Sequence, residues 1–316
     1  MTNIANAPRV ETTQASEHAR GWITHYAGIL VGVLVLTAGR GFACTLDPGD
    51  ILVTDLGKQA VIEIDTRTGQ PCVVSAGGLL TLPTGIAVDA AGQILVVDGE
   101  AFDGNGGIIR IDPSSGAQHA VSQDGYFVDP QSMAIARNGT IFVADPNAFD
   151  GNGGVIAVNP VTGRQKVVAS GGAFVQPVGI AIAPGGHLMV TDREVLAVVR
   201  VNKATGSQQT LSAAGSFANP IGIVLSAAGE IFVADADAFE QSDGGIIQVD
   251  ARTGEQRTVA SGGSFNSPVA LAIAASGKLA VVDYEGLIVV DPATGTQSLV
   301  PWSEGIGRPW GIAIVP

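Results

Sequence analysis

The chain has 316 residues, long enough to bury a sizeable core, and carries 16 Lys and Arg against 29 Asp and Glu, a net charge of −13. With no Lys/Arg-rich run to neutralise phosphates, that balance argues against a nucleic-acid partner. Glycine makes up 43 residues, about twice the usual share of roughly 7%, and charged residues only 14%, which points to many tight turns joining many short strands.

Residues 1–26 are polar, with Arg9 and Arg20, and are followed by an apolar stretch from Ala27 to Ala38 and by small residues ending at Gly41-Phe42-Ala43. This order predicts a signal peptide over 1–43 with cleavage after Ala43. The alternative is an uncleaved membrane anchor over residues 22–39, because Trp22 to Tyr26 could lengthen an apolar core that is short for a span of roughly 20 residues. Either way residues 44–316 are expected outside the cytoplasm, secreted or held at the membrane. Cys44 has three readings: a lipid-modified cysteine, although the preceding Gly-Phe-Ala lacks the Leu of a bacterial lipobox; a disulfide to Cys72, its one possible partner; or an idle thiol. A membrane enters this reading only through the N-terminal segment or a lipidated Cys44.

From residue 45 onward the chain repeats itself. ILVVDGEAFDGNGGIIRIDPSSG from Ile94 is nearly copied 47 residues later by IFVADPNAFDGNGGVIAVNPVTG from Ile141. Three markers recur six times in the same order. A large apolar residue (Leu80, Phe127, Phe174, Phe217, Phe265, Ile306) stands three places before a proline (Pro83, Pro130, Pro177, Pro220, Pro268, Pro309). An apolar run ending in aspartate follows (Asp55, Asp98, Asp145, Asp192, Asp235, Asp283).

Each unit reads as four short strands, A to D. In the second unit these are Gly85–Asp89, Ile94–Asp98, Gly107–Asp112 and Gln118–Ser122, rich in Val and Ile and bounded by Gly, Pro, Asp or Ser. Short turns make consecutive strands antiparallel neighbours. The expected fold is all-β: a six-bladed β-propeller of four-stranded antiparallel blades over residues 44–316. Strand A carries small side chains (GIAVD, SMAIA, GIAIA, GIVLS, ALAIA, GIAIV), as a crowded central axis requires. The markers before proline are expected between blades, and the six aspartates to bind backbone amides of a neighbouring turn. The first unit begins at its strand B, and Gly311–Val315 is a strand A with no B after it. The C-terminal strand should therefore complete the N-terminal blade, leaving no open edge.

The Pro-x-Gly-Ile-Ala openings (Pro83 to Ala87, Pro177 to Ala181, Pro309 to Ala313) and the apolar-then-Asp strands at Ile94, Ile141 and Ile231 resemble NHL-repeat propellers. That superfamily also holds gluconolactonase-like and strictosidine-synthase-like proteins. The resemblance covers residues 45–316 and implies the fold; its members bind protein, RNA or sugars, or carry out hydrolytic and lyase chemistry, so it does not fix the function. An amidating lyase would need several histidines as metal ligands, and past residue 43 only His119 and His187 remain. No counterpart of the early metal-binding glutamate of gluconolactonase-like enzymes is found.

The face bearing the D–A and B–C loops is where function is expected. Residues that break the repeat there are the ligand-binding candidates: Arg193 and Glu194, Tyr284 and Glu285, and Gln131 and Trp310 in the slot after the marker proline. Long B–C loops in units two, three and five supply a metal candidate set, Asp103, Asn105, Asp150, Asn152 and Asp243. Asp-Gly-Asn-Gly-Gly spaces oxygen donors as calcium takes them, but it is equally a tight-turn sequence with no closing bidentate acid. The preferred reading is a module binding a protein, peptide or glycan, with no cofactor required. The alternative is a cation-dependent hydrolase or lyase with calcium held by the acidic loops.

Overall fold

The structure, a computed structural model, describes residues 44–239, 243–284, 286–301 and 306–316. The expected signal segment or anchor, 1–43, and the candidate Glu285 lie outside the described residues. Among those described, no helix is long and apolar enough to cross a membrane.

Among the described residues, twenty-four strands form six four-stranded antiparallel sheets. The N-terminal blade contains β1 (Ile51–Asp55), β2 (Ala60–Ile64) and β3 (Pro71–Ala76). Blade two is β4 (Pro83–Val88), β5 (Ile94–Asp98), β6 (Gly107–Ile111) and β7 (Gln118–Gln123); blade three is β8 (Ser132–Ile135), β9 (Ile141–Asp145), β10 (Gly154–Val158) and β11 (Gln165–Ser170). Blade four is β12 (Pro177–Ile182), β13 (Leu188–Asp192), β14 (Ala197–Val201) and β15 (Gln208–Ala213). Blade five is β16 (Pro220–Leu225), β17 (Ile231–Asp235), β18 (Gly245–Val249) and β19 (Gln256–Ser261); blade six is β20 (Ala270–Ile273), β21 (Leu279–Asp283), β22 (Gly286–Val290) and β23 (Gln297–Pro301). The last strand, β24 (Pro309–Ile314), pairs antiparallel with β1, Val53 opposite Ile312 and Ile51 opposite Ile314. The ring is therefore closed as the repeat order predicts. The six innermost strands touch in turn, β24, β4, β8, β12, β16 and β20, and β20 meets β24 again.

The small residues of strand A answer to that crowding. A Cβ on Gly179 would come 2.2 Å from the Ile221 carbonyl oxygen of the next blade, and one on Gly311 2.2 Å from that of Thr84. Glycine follows the Pro-x slot where the neighbouring inner strand leaves no room for a side chain.

Apolar side chains bury themselves between blades. Phe174 packs with Val155 and Ala169 of blade three and with Leu188 and Val199 of blade four. Phe127, Phe217, Phe265 and Leu80 plug the equivalent seams, and Ile306 packs against the seam between blades six and one. The six aspartates are fully buried at the ends of their strands. Asp145 accepts hydrogen bonds from the amides of Val128 (2.8 Å), Asp129 (3.2 Å), Asn147 (3.1 Å) and Ala148 (3.0 Å), so one carboxylate ties the D–A loop to the B–C turn. Asp98 does the same with Thr81, Leu82, Glu100 and Ala101.

One repeated device goes beyond the sequence markers. The glutamine opening strand D reaches into the preceding blade: Gln118 donates to Ser75 Oγ and to the Gly77 carbonyl, both at 2.9 Å, and accepts from the Leu79 amide at 2.6 Å. Gln165 and Gln256 repeat this pattern, and Gln208 and Gln297 keep its backbone contact. Blade one has Pro71 in this place, so the seam where the ring closes relies on β24 and on apolar packing.

Cys44 and Cys72 form a disulfide, with Cα atoms 5.8 Å apart, which joins residue 44 to the outer strand of blade one. Of the three readings of Cys44, this is the one the structure holds, and it leaves no thiol for a lipid. Beside the disulfide lies the buried carboxyl group of Glu63 on β2, with the buried Asp50 next to it in turn. Arg67 pairs instead with Asp47 and Asp65. Burial and the adjacent Asp50 push the Glu63 carboxyl up from its ordinary 4.5 to about 7.

The folded protein therefore holds a proton that the unfolded chain releases near pH 4.5. Stability from this group is greatest in acid, falls between pH 4.5 and 7, and levels off above. In thermal melts, wild type minus Glu63→Gln should show a melting-temperature difference that grows more negative from pH 5 to pH 8. A difference independent of pH would contradict the assignment.

Candidate functional site

The D–A and B–C loops share one face around the central channel, and the slot after each marker proline lies at its mouth. Thr84 is consumed by the scaffold, its hydroxyl donating to the carbonyls of Val97 and Pro130. Gln131, Val178, Ile221, Val269 and Trp310 line one cavity of about 110 Å³, and Arg193 lines it too. Blades one and four lie opposite each other in the ring, so Trp310 and Arg193 face the channel from opposite sides.

Three sequence candidates, Gln131, Arg193 and Trp310, are thus brought together. Glu194 and Tyr284 are exposed on the same face but do not line the cavity.

The long B–C loops contain what the sequence did not suggest, a single left-handed helical turn. In α1 (Ala101–Gly104), Phe102 and Asp103 have φ of 55° and 62°; in α2 (Ala148–Gly151), Phe149 and Asp150 have 57° and 59°. This conformation strains ordinary residues and persists where packing enforces it. Packing does so here: the Phe102 ring lies over Gly107 and the Phe149 ring over Gly154, so close that a Cβ on either glycine would come within 2.6 Å of the ring. Asn152 donates to the Phe149 carbonyl at 2.7 Å, closing the turn. Asn105 closes the first with its backbone amide. The loops are knots holding the face.

Asp103 and Asp150 are exposed on separate blades and Asp243 belongs to a third. Among the described residues these aspartates enter no group of three ligand atoms within 4.8 Å. The single such group, Cys44, Glu63 and Cys72, has its sulfurs joined to each other.

The sequence reading passed over the residue immediately before each marker proline: Leu82, Asp129, Gln176, Asn219, Ser267 and Arg308. Five of the six are polar, and Asp129, Gln176 and Asn219 form a partial polar collar through side-chain hydrogen bonds to the B–C loops or the slot. Asp129 accepts from Gln131 Nε2 at 2.6 Å and Asn147 Nδ2 at 3.1 Å. Burial raises its carboxyl above the ordinary value, against the pull of the Gln131 hydrogen bond. Asn219 donates to Asp237 at 2.8 Å, and Gln176 accepts from Arg193 Nε at 2.7 Å. The signal was available, since a different residue occupies this position in each of the six blades, beside an invariant proline.

No protein-family model and no curated protein matches the sequence. Solved structures do. The nidogen/laminin complex contains a chain matching with a TM-score of 0.68 and 17% identity, over 84% of this chain and 98% of that one. A gluconolactonase from Xanthomonas campestris matches at 0.60 and 16%, over 74% and 79%. Virginiamycin B lyase from Staphylococcus aureus matches at 0.57 and 14%, over 72% and 73%. The likeness is one of fold. It is shared by a component of the nidogen/laminin complex, a gluconolactonase and a lyase, and it leaves the propeller's task to its own residues.

Proposed function

We propose that this propeller is an extracytoplasmic binding module whose D–A and B–C loop face engages a protein, peptide or glycan. The observation that carries the reading is the collar. The marker positions keep the same residue types from blade to blade, whereas the positions before the marker prolines carry six different residues, and the slot beside them opens on one shared cavity. At about 110 Å³ that cavity lies below the roughly 300–1,000 Å³ of small-molecule sites, and it suits a single protruding group of a larger ligand. The disulfide fits an oxidising compartment, in keeping with the apolar segment that precedes Cys44.

Full-length protein and a Gln131→Ala, Asn219→Ala, Tyr284→Ala variant would be compared on arrayed peptides and glycans. Binding lost in the variant, with the melting temperature unchanged, supports the reading. Binding retained at full strength moves the site off this face.

A cation-dependent hydrolase or lyase is the second reading, favoured by the exposed Asp103 and Asp150 and by the enzymes that share the fold. Melting curves in millimolar calcium and in chelator separate the two, because a ligand of the native state raises its stability.

A further inference from the structure

Among the described residues only Arg67 forms ion pairs, so Arg193, like the other basic side chains, has none; what sets Arg193 apart is its place on the channel cavity. Among the described residues it is the one cation lining the channel cavity. Its Nε is spent on Gln176 Oε1 at 2.7 Å, which fixes the plane of the guanidinium and leaves the terminal nitrogens free to act as a two-pronged donor.

The nearest carboxylate of the collar, Asp129, is already engaged by Gln131 and Asn147. The Arg193 charge is felt at Asp129 and pulls its carboxyl downward, but among the described residues the two form no ion pair, so the terminal nitrogens of Arg193 keep their capacity for a ligand. The remaining slot residues on the cavity wall, Val178, Ile221, Val269 and Trp310, offer apolar surface and a single indole. An oriented, unpaired fork beside these apolar side chains suits a carboxylate on a short aliphatic stem.

We infer that the channel mouth is a carboxylate pocket that receives one Asp or Glu side chain from a polypeptide partner, with Arg193 recognising the charge and Trp310 covering the stem. The inference rests on the binding-module reading above and specifies its ligand. A polypeptide is favoured over an acidic glycan because the wall carries few hydrogen-bonding side chains for a sugar's hydroxyl groups. The net charge of −13 does not forbid an acidic ligand, since exposed charges beyond about 8 Å are largely screened at physiological salt.

The test uses the full chain, octapeptides with a central Glu, Asp, Gln or Lys in a neutral background, and an oligogalacturonide as the acidic-glycan arm. Fluorescence anisotropy gives each affinity. Wild type should bind the Glu or Asp peptide at least about tenfold tighter than the Gln peptide. Arg193→Gln should erase that ratio, and Arg193→Lys should restore only part of it. Arg193 is exposed, so neither substitution threatens the fold, and unchanged melting curves would confirm this.

Equal binding of the Glu and Gln peptides overturns the inference, as does tighter binding of the Lys peptide or the uronate, or a ratio unmoved by Arg193→Gln. Should binding be lost in the Gln131, Asn219 and Tyr284 variant but persist in Arg193→Gln, the binding-module reading stands and the carboxylate pocket alone fails.

Discussion

A chain lacking residues 309–316 will not form a closed ring, and its thermal unfolding will lose the single cooperative transition of the full protein. β24 is the inner neighbour of β1, whose Leu52 and Val53 are fully buried, and it also touches β4 and β20 on either side. Its tail is tied further by Val315, whose amide donates to the Asp50 carbonyl and whose carbonyl accepts from Gly49, both at 2.9 Å. Each lost backbone hydrogen bond is worth about 1 kcal/mol, and each apolar side chain returned to water about 1.5–3 kcal/mol. Over a six-residue strand the total is on the order of a domain's whole stability, about 5–15 kcal/mol. The exposed edge of β1 would also invite intermolecular pairing, so concentration-dependent aggregation is expected. Scanning calorimetry with light scattering checks both effects. Deleting Pro316 alone, which lies beyond these contacts, should change nothing. A truncated protein melting as the full one does would mean that the ring does not depend on its last strand.

Asp145→Ala should cost about 4 kcal/mol, and Glu194→Ala on the same face less than about 0.5 kcal/mol. Asp145 is completely buried and accepts four backbone amides. Alanine would leave those donors without an acceptor at the junction of a D–A loop and a B–C turn, where water has little access. Glu194 is exposed and its side chain makes no hydrogen bond among the described residues. For a ring of this size roughly 2 °C accompanies each kcal/mol, so the Asp145 variant should melt about 8 °C lower. Denaturant unfolding of the two variants measures the contrast. Similar small losses for both would return the strand-end aspartates to candidacy as ligands, because a carboxylate with little structural worth needs another reason to recur in every blade.

The pattern of markers made the scaffold legible. The proline, the apolar residue before it and the aspartate after it each recur at one place per blade, and each does a local job: starting the inner strand, plugging a seam, or tying two loops. The glutamine of strand D recurs in five of the six blades, with Pro71 in its place in blade one. It went unread because its partner, such as Ser75 for Gln118, sits in the preceding blade, and no local turn or strand rule calls for a glutamine there.

Loops 101–107 and 148–154 were read as turn or cation site. Their left-handed helical turn depends on Phe102 and Phe149 folding back over Gly107 and Gly154, a contact that turn chemistry alone does not specify. The candidate site was visible only in part. Arg193, Gln131 and Trp310 stood out as breaks in the repeat, whereas Asp129, Gln176 and Asn219 were hidden beside the prolines.

By itself, the order of residues determined the number of blades, the four strands in each, the role of the buried aspartates and the closure by the tail. All of these follow from short-range patterns repeated along the chain, and burial of two sheet faces leaves such patterns one way to stack. Only the tertiary structure decided which side chains share the channel mouth, which of them are already satisfied, and that Arg193 is not. Those residues come from blades far apart in sequence, and whether a charge is paired depends on distances that no periodicity encodes.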